Sequence, residues 1–272
     1  MITDAEFRAT PYVRGVLNYI DPAAPEAVMN DTEREKVRMN LVAHEVEIHD
    51  ARAVQDRLGL DSTGFALQRQ RSDVRDFFDP REVEACYLPE TAEQVRRLTG
   101  AVHVLPFGAA VRNAREAKPL HPPVLNVHID YDEPTVRSKA ADMLPTDQKH
   151  LLDGRIMLIN VWRPISPVES MPLALCDARS VTAADPFPWQ LQGSVSGLAT
   201  AAGYNVAHNP AHRWFYASAM RPDEVLAFRR CDTRPGAPQG TAHTAFVDPT
   251  SAPDAPGRQS IEVRIIAFMG TS

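Results

Sequence analysis

The spacing of apolar positions changes character near residue 100. After a polar start without regular pattern, to about residue 30, the first hundred residues mix one alternating stretch with helical periodicity. LVAHEVEIHD (41–50) alternates as a strand does, and ARAVQDRLGL (51–60) carries an apolar stripe that ends near Gly59. SDVRDFFD (72–79) and PREVEACYL (80–88) predict brief helices. TAEQVRRLTG (91–100) predicts a better-defined one: Thr91 with Gln94 makes a capping-box pattern, Val95 and Leu98 share a face, and Gly100 stands where a helix end favours a left-handed residue. Beyond residue 100 the period becomes two. Eight strands are predicted: AVHVLPF (101–107), VLNVHIDY (124–131), RIMLINVW (155–162), PLALCDA (172–178), HRWFYAS (212–218), EVLAFRR (224–230), HTAFVD (243–248) and SIEVRIIAF (260–268). Eight short strands with Pro/Gly-rich connections, behind a helical preface, predict a mainly β fold with flanking helices: a double-stranded β-helix of the jelly-roll or cupin type. Residues 1–272 are read as one domain, with 1–100 a mainly helical preface and 101–272 the β-helix core. EPTVRSKAADML (133–144) predicts a helical insertion, and 179–211 a long connection of the kind that serves as a lid or specificity wall.

Composition narrows the partners. A chain of 272 residues, 44% hydrophobic, can bury a substantial core. A formal net charge of -6 with no clustered Lys/Arg stripe gives no field for a nucleic-acid backbone, which leaves a small-molecule substrate as the expected partner. No apolar run approaches the roughly 18 residues of a membrane span, and the opening MITDAEFRAT lacks the basic start and apolar stretch of a signal peptide. The expectation is a cytoplasmic protein without a membrane partner, acting as a monomer or homodimer. Cys86, Cys176 and Cys231 are odd in number and far apart, so they predict buried thiols rather than disulfides or a zinc knot.

The candidate chemistry begins in VLNVHIDYDE (124–133). On an extended chain Val124, Asn126, His128 and Asp130 point one way, and Leu125, Val127, Ile129 and Tyr131 the other. With its polar face in water such a strand means nothing; inside a barrel, His128 and Asp130 enter one cavity. A third ligand must come from the other histidines. His44 and His49 are five apart on a strand and face opposite ways, and Asn209-Pro210 interrupts the helix that would align His208 with His212. His243 opens the seventh predicted strand, which neighbours the second in a double-stranded β-helix, so His128, Asp130 and His243 converge. Two imidazoles and a carboxylate on one face of an octahedron leave three positions, the arrangement with which non-haem Fe(II) takes a bidentate co-substrate and then O₂. Zinc also accepts three such ligands.

In GRQSIEVRII, Ile261, Val263 and Ile265 share one face, and Arg258, Ser260, Glu262 and Arg264 the other. Arg258 with Ser260 offers a guanidinium fork and a hydroxyl, which suits the distal carboxylate of a dicarboxylate. Arg264 lies roughly 20 Å further along an extended strand, so the two cannot clamp one carboxylate; Arg258 is preferred, and Arg264 is either the alternative clamp or the ion-pair partner of Glu262 or Asp248. In LINVWRPI, Asn160 and Trp162 share a face and are candidates for the substrate pocket, with Trp162 equally readable as core, while Arg163 takes the other face. The Tyr216 hydroxyl has two readings, a contact to the dicarboxylate co-substrate or one to a backbone carbonyl.

The segments VHIDYDEP, NVWRPI, ALCDARSV, HRWFYASAMRPDEVLAFRRCD, HTAFVDP and RQSIEVR together resemble the hydroxylase/desaturase family typified by cephamycin 7α-methoxylase subunits, gibberellin-type desaturases and AsaB-like fungal oxygenases. The likeness runs from about residue 40 to the end. It implies an Fe(II)- and 2-oxoglutarate-dependent oxygenase of secondary metabolism, antibiotic biosynthesis included, that uses O₂ for hydroxylation, desaturation or oxidative cyclisation. It also implies His128, Asp130 and His243 as metal ligands and Arg258 with Ser260 as the 2-oxoglutarate clamp. The alternatives are a cupin-type metal enzyme without 2-oxoglutarate, which has no need of Arg258, and a non-catalytic partner subunit, against which an intact triad argues.

Overall fold

In the computed structural model the described residues are 2–25, 28–30, 39–116, 122–192, 202–238 and 240–270. The first hundred residues hold more strand than expected. After α1 (Asp4–Ala9) come β1 (Tyr12–Ile20), β2 (Val28–Asn30), β3 (Leu41–Asp50), a 3-10 segment at Ala51–Arg57 and β4 (Phe65–Arg69). α2 (Pro80–Glu82) runs through a π turn into α3 (Leu88–Thr99). The mainly helical preface is therefore corrected: β1 and β3 pair antiparallel along nine positions. Residues 72–79 form no helix, because side chains compete for their backbone donors: Ser72 Oγ accepts from Val74 N and Asp76 Oδ1 from Phe78 N. Thr91 is not a cap either. The helix is already under way, and the Thr91 hydroxyl donates back to the Tyr87 and Leu88 carbonyls. Gly100 does close α3, with φ 70°.

All eight predicted strands are present. They are β5 (His103–Asn113), β6 (His128–Asp130), β7 (Ile156–Pro164), β8 (Leu173–Cys176), β11 (Trp214–Tyr216), β12 (Glu224–Asp232), β13 (His243–Ala245) and β14 (Gln259–Phe268). The helical insertion is α4 (Glu133–Met143), capped by Asp132, whose side chain accepts from Thr135 N at 2.9 Å. Within the predicted connection 179–211 lie two further strands, β9 (Pro186–Gln192) and β10 (Ala202–Val206), which pair antiparallel; residues 193–201 fall outside the described residues.

The strands form two sheets, ordered β1-β3-β11-β8-β13-β6-β10-β9-β2 and β4-β12-β7-β14-β5, and make the predicted double-stranded β-helix. Period two sorts the side chains between layers. Ile159, Val161, Ile261, Val263 and Ile265 face outward and pack under α3 against Tyr87 and Val95. Between the sheets lie Phe65, Leu67, Trp162, Leu175, Phe215 and Phe228. One end of that interior is closed by Val136 and Ala140 of α4 against Leu158, Ile266 and Phe268. The far face of the larger sheet carries its own cluster around Tyr19, Trp214 and Phe246, where Trp214 Nε1 donates to Tyr19 Oη at 2.7 Å. Cys176 and Cys231 are buried, whereas Cys86 is half-buried.

Candidate metal centre

β6 and β13 meet at a single register position, His243 opposite His128. Val127 and Ile129 turn into the far-face cluster, so His128 and Asp130 turn inward. The ligand atoms of His128, Asp130 and His243 lie within 4.8 Å of one another. His243 Nε2 stands 3.2 Å and His128 Nε2 3.8 Å from Asp130 Oδ2. Both imidazoles are wired alike: His128 Nδ1 donates to the Asn126 carbonyl at 2.9 Å, and His243 Nδ1 to the Thr241 carbonyl at 3.0 Å. Each bond fixes the tautomer that leaves Nε2 a lone pair for a metal.

Electrostatics favour the protonation states that metal binding requires. Burial, reinforced by His243, pushes the His128 pKa down to about 4, and nearby Asp130 only partly opposes this. Burial alone would raise Asp130, but Arg230 and the two histidines outweigh it and hold the carboxyl well below the usual range. Arg230, which the sequence reading missed, has Nη2 2.5 Å from Asp130 Oδ2 and Nη1 donating to Asn160 Oδ1 at 2.9 Å.

The triad opens onto a cavity of about 150 Å³. Val124, Leu173, Trp162, Trp189 and Ala245 give it apolar walls, and Arg112, Arg230, Arg258, Glu262 and Arg264 add charge. Trp162 thus lines the cavity, whereas Asn160 is fully buried behind Arg230. Arg258 is 3% exposed, donates from Nη1 to the Met171 carbonyl at 2.7 Å and lies 5.3 Å from the centre of the Trp162 ring. Its Nε and the hydroxyl of Ser260, two residues on along the same face, are buried with no hydrogen-bond partner among the described residues. Burial, aided by Arg112 and opposed by Glu262, pushes the Arg258 pKa down to about 9. Arg264 also reaches the cavity, with Nη2 3.9 Å from Glu262 Oε1 and an Nε that has no partner among the described residues.

Tyr216 is elsewhere. Its ring packs edge-on to Phe246 at 5.6 Å on the far face of the larger sheet, so the expected contact to 2-oxoglutarate is corrected: Tyr216 shares its face with Trp214, and Phe215 takes the interior. Arg163 lies under the helices, with Nε donating to Tyr87 Oη at 3.1 Å and Nη2 to Gln70 Oε1 at 2.7 Å.

Comparison with known proteins agrees with this geometry. Residues 17–268 match the family described as YDMC: Oxidoreductase/YMDC permease-like domain. Among the described residues no helix is long and apolar enough to cross a membrane. The hydroxylase/desaturase efuI of Hormonema carpetanum is 30% identical over 95% of this chain and 96% of its own. The Fe(II)/2-oxoglutarate-dependent dioxygenase nvfI of Aspergillus novofumigatus is 30% identical over 86% of this chain and 87% of its own. A solved structure of the iron and alpha-ketoglutarate-dependent endoperoxidase NvfI superposes with a TM-score of 0.84, covering 96% of this chain and 99% of that one at 27% identity. The hydroxylase/desaturase asaB of Aspergillus flavus is 34% identical over 51% of this chain and 65% of its own, which agrees with the AsaB-like part of the resemblance. The likeness to cephamycin 7α-methoxylase subunits gains no support from these matches.

Proposed function

The chain belongs to the hydroxylase/desaturase family of Fe(II)- and 2-oxoglutarate-dependent oxygenases, and from that premise we propose which of its residues hold the iron, the co-substrate and the substrate. The protein is a dioxygenase that oxidises a small molecule of secondary metabolism. His128, Asp130 and His243 would hold Fe(II), a donor set of two imidazoles and a carboxylate that suits a non-haem iron able to take a bidentate co-substrate and O₂. Arg258 and Ser260 bind the distal carboxylate of 2-oxoglutarate. The observation that carries this reading is the pair of unsatisfied groups, Arg258 Nε and Ser260 Oγ, buried on the strand face that borders the cavity of the triad. Buried polar groups without partners are rare in native proteins, and an anionic ligand would satisfy both.

When bound, Fe(II) and 2-oxoglutarate together supply the activation of O₂ that lets the enzyme oxidise a C–H bond. The chain's own residues arrange that chemistry. Arg230 orients the Asp130 carboxylate, and Asn160 in turn fixes Arg230. Trp162 supports the Arg258 guanidinium from one side. Val124, Leu173, Trp189 and Ala245 present an apolar wall that positions the substrate and excludes water. Asn160 therefore acts through Arg230, and Trp162 through Arg258 as well as through the wall.

Anaerobic calorimetry tests the assignment. One Fe(II) should bind per chain, and His128→Ala, Asp130→Ala or His243→Ala should each abolish tight binding; a variant that retains it is not missing a ligand. Adding 2-oxoglutarate to the Fe(II) protein should produce a weak visible charge-transfer band.

A further inference from the structure

The cavity holds more positive charge than the metal ligands and the co-substrate use. Arg112, Arg230, Arg258 and Arg264 line it, against the carboxylates of Asp130 and Glu262. A divalent iron and a doubly charged co-substrate cancel each other, so the loaded site, its imidazoles neutral as ligands, keeps two positive charges. Asp130 neutralises Arg230 through their 2.5 Å contact, and the proposed reading commits Arg258 to 2-oxoglutarate. Arg112 and Arg264 then share one counter-charge, Glu262.

That sharing is weak. Arg264 Nη2 is 3.9 Å from Glu262 Oε1, at the outer limit of an ion pair and beyond hydrogen-bond range, and Arg264 Nε is buried without a partner among the described residues. Arg112 donates from Nη1 to the Pro122 carbonyl at 3.0 Å, and among the described residues its guanidinium has no carboxylate in ion-pair contact. Glu262 is held charged: burial would raise its pKa, but Arg230, Arg264 and Arg112 outweigh it and keep it low. Glu262 also falls between Arg258 and Arg264 in sequence and on their strand face, and its charge repels any anion that would bridge them. The two guanidinium groups therefore address separate anions.

We propose that the substrate carries an acidic group, a carboxylate or a comparably acidic enol, and that Arg264 binds it. This rests on the assignment of Arg258 to the co-substrate. A guanidinium with free donors at a water-poor wall recognises such a group through paired, charge-assisted hydrogen bonds that a neutral isostere does not make. Arg264 would thus set which molecules are oriented toward the iron, while the apolar wall accepts the rest of the skeleton.

Hexanoate and its neutral isostere hexanamide serve as probes, titrated by calorimetry into the full chain saturated with Mn(II) and 2-oxoglutarate without O₂. Hexanoate should bind about tenfold more tightly, the effect of roughly one charge-assisted hydrogen bond. Arg264→Gln should erase that preference, and Arg264→Lys, which keeps the charge, should restore part of it. Binding of 2-oxoglutarate to Arg264→Gln is read separately in the same preparation. Equal affinity for the two probes, binding of neither, or a preference that survives in Arg264→Gln overturns the proposal while leaving Arg258 as the co-substrate residue. Loss of 2-oxoglutarate binding in Arg264→Gln overturns the Arg258 assignment and this proposal with it.

Discussion

Replacing Arg258 with Met should make the empty protein more stable and the loaded protein less so. At pH 7 the guanidinium is charged although 3% exposed, and burial brings its pKa down from the usual guanidinium range to about 9. At about 1.4 kcal/mol per pKa step, keeping it charged in place costs roughly 4–5 kcal/mol. Its hydrogen bond to the Met171 carbonyl returns about 1.5–3 kcal/mol. The contact with Trp162 returns about 1–2 kcal/mol. The balance is a net strain of about 1 kcal/mol, which Met relieves while filling similar space, so empty Arg258→Met should melt about 2–4 °C above the parent. Ligand reverses the order. With Mn(II) present and 2-oxoglutarate at a hundred times its dissociation constant, the parent gains about 2.7 kcal/mol, or roughly 5–10 °C, and the variant gains nothing from the acid. Differential scanning fluorimetry with and without 2-oxoglutarate reads both effects. A variant that melts well below the empty parent and still shows the full 2-oxoglutarate shift would refute the reasoning.

Two further outcomes concern the scaffold. Burial lowers the His212 pKa from 6.5, with Asp185 at 3.2 Å opposing, so the folded chain resists a proton that the unfolded chain accepts. Stability should therefore fall as pH drops from about 6.5 toward the lowered folded value; urea midpoints at pH 7.5 and 5.5 should differ less in His212→Gln than in the parent, and equal differences would exclude His212 as a cause. Gly240→Ala would set a Cβ 2.3 Å from the Arg230 carbonyl oxygen and 2.7 Å from Ile129 Cγ2. Backbone there cannot yield, so the variant should lose about 2 kcal/mol or more and bind Fe(II) less tightly, because Ile129 separates two ligands; an unchanged urea midpoint would contradict the close approach.

The residues bringing His128 to His243 were legible because both readings depend on period two, which survives as long as a strand is regular. Irregular strands hid the rest. In β1, Gly15 breaks the alternation, yet a side chain there would meet Ile48 Cδ1 at 2.8 Å and Phe246 Cδ2 at 2.9 Å, so packing demands the residue that weakens the strand signal. Pro186 and Pro188 made β9 read as a connection, and with it Trp189 was lost as a cavity residue. Arg230 was missed for another reason: period two does place it inward with Leu226 and Phe228, but its partner Asp130 belongs to the other sheet, and no count along one strand reveals a contact between sheets. Arg112 needed β5 to continue past Gly108, a residue with φ 81° that reads as a turn. Tyr216 failed differently, since its strand was correctly placed and only its face was open.

The two carbonyls that orient His128 and His243 belong to the main chain, each two residues before its histidine. Their donors' partners are therefore present whatever amino acid occupies positions 126 and 241, and no single side-chain replacement there can delete them. An outer shell built from side chains ties the metal to its neighbours' identities; one built from peptide groups does not. Val124, Leu173 and Trp189, which shape the wall, can thus diverge without a compensating change at the ligands. In evolutionary terms the two histidines and this part of the wall are separable, whereas Asp130 stays tied to the side chains of Arg230 and Asn160: a lineage can explore new substrates by altering Val124, Leu173 or Trp189 as long as that pair is kept.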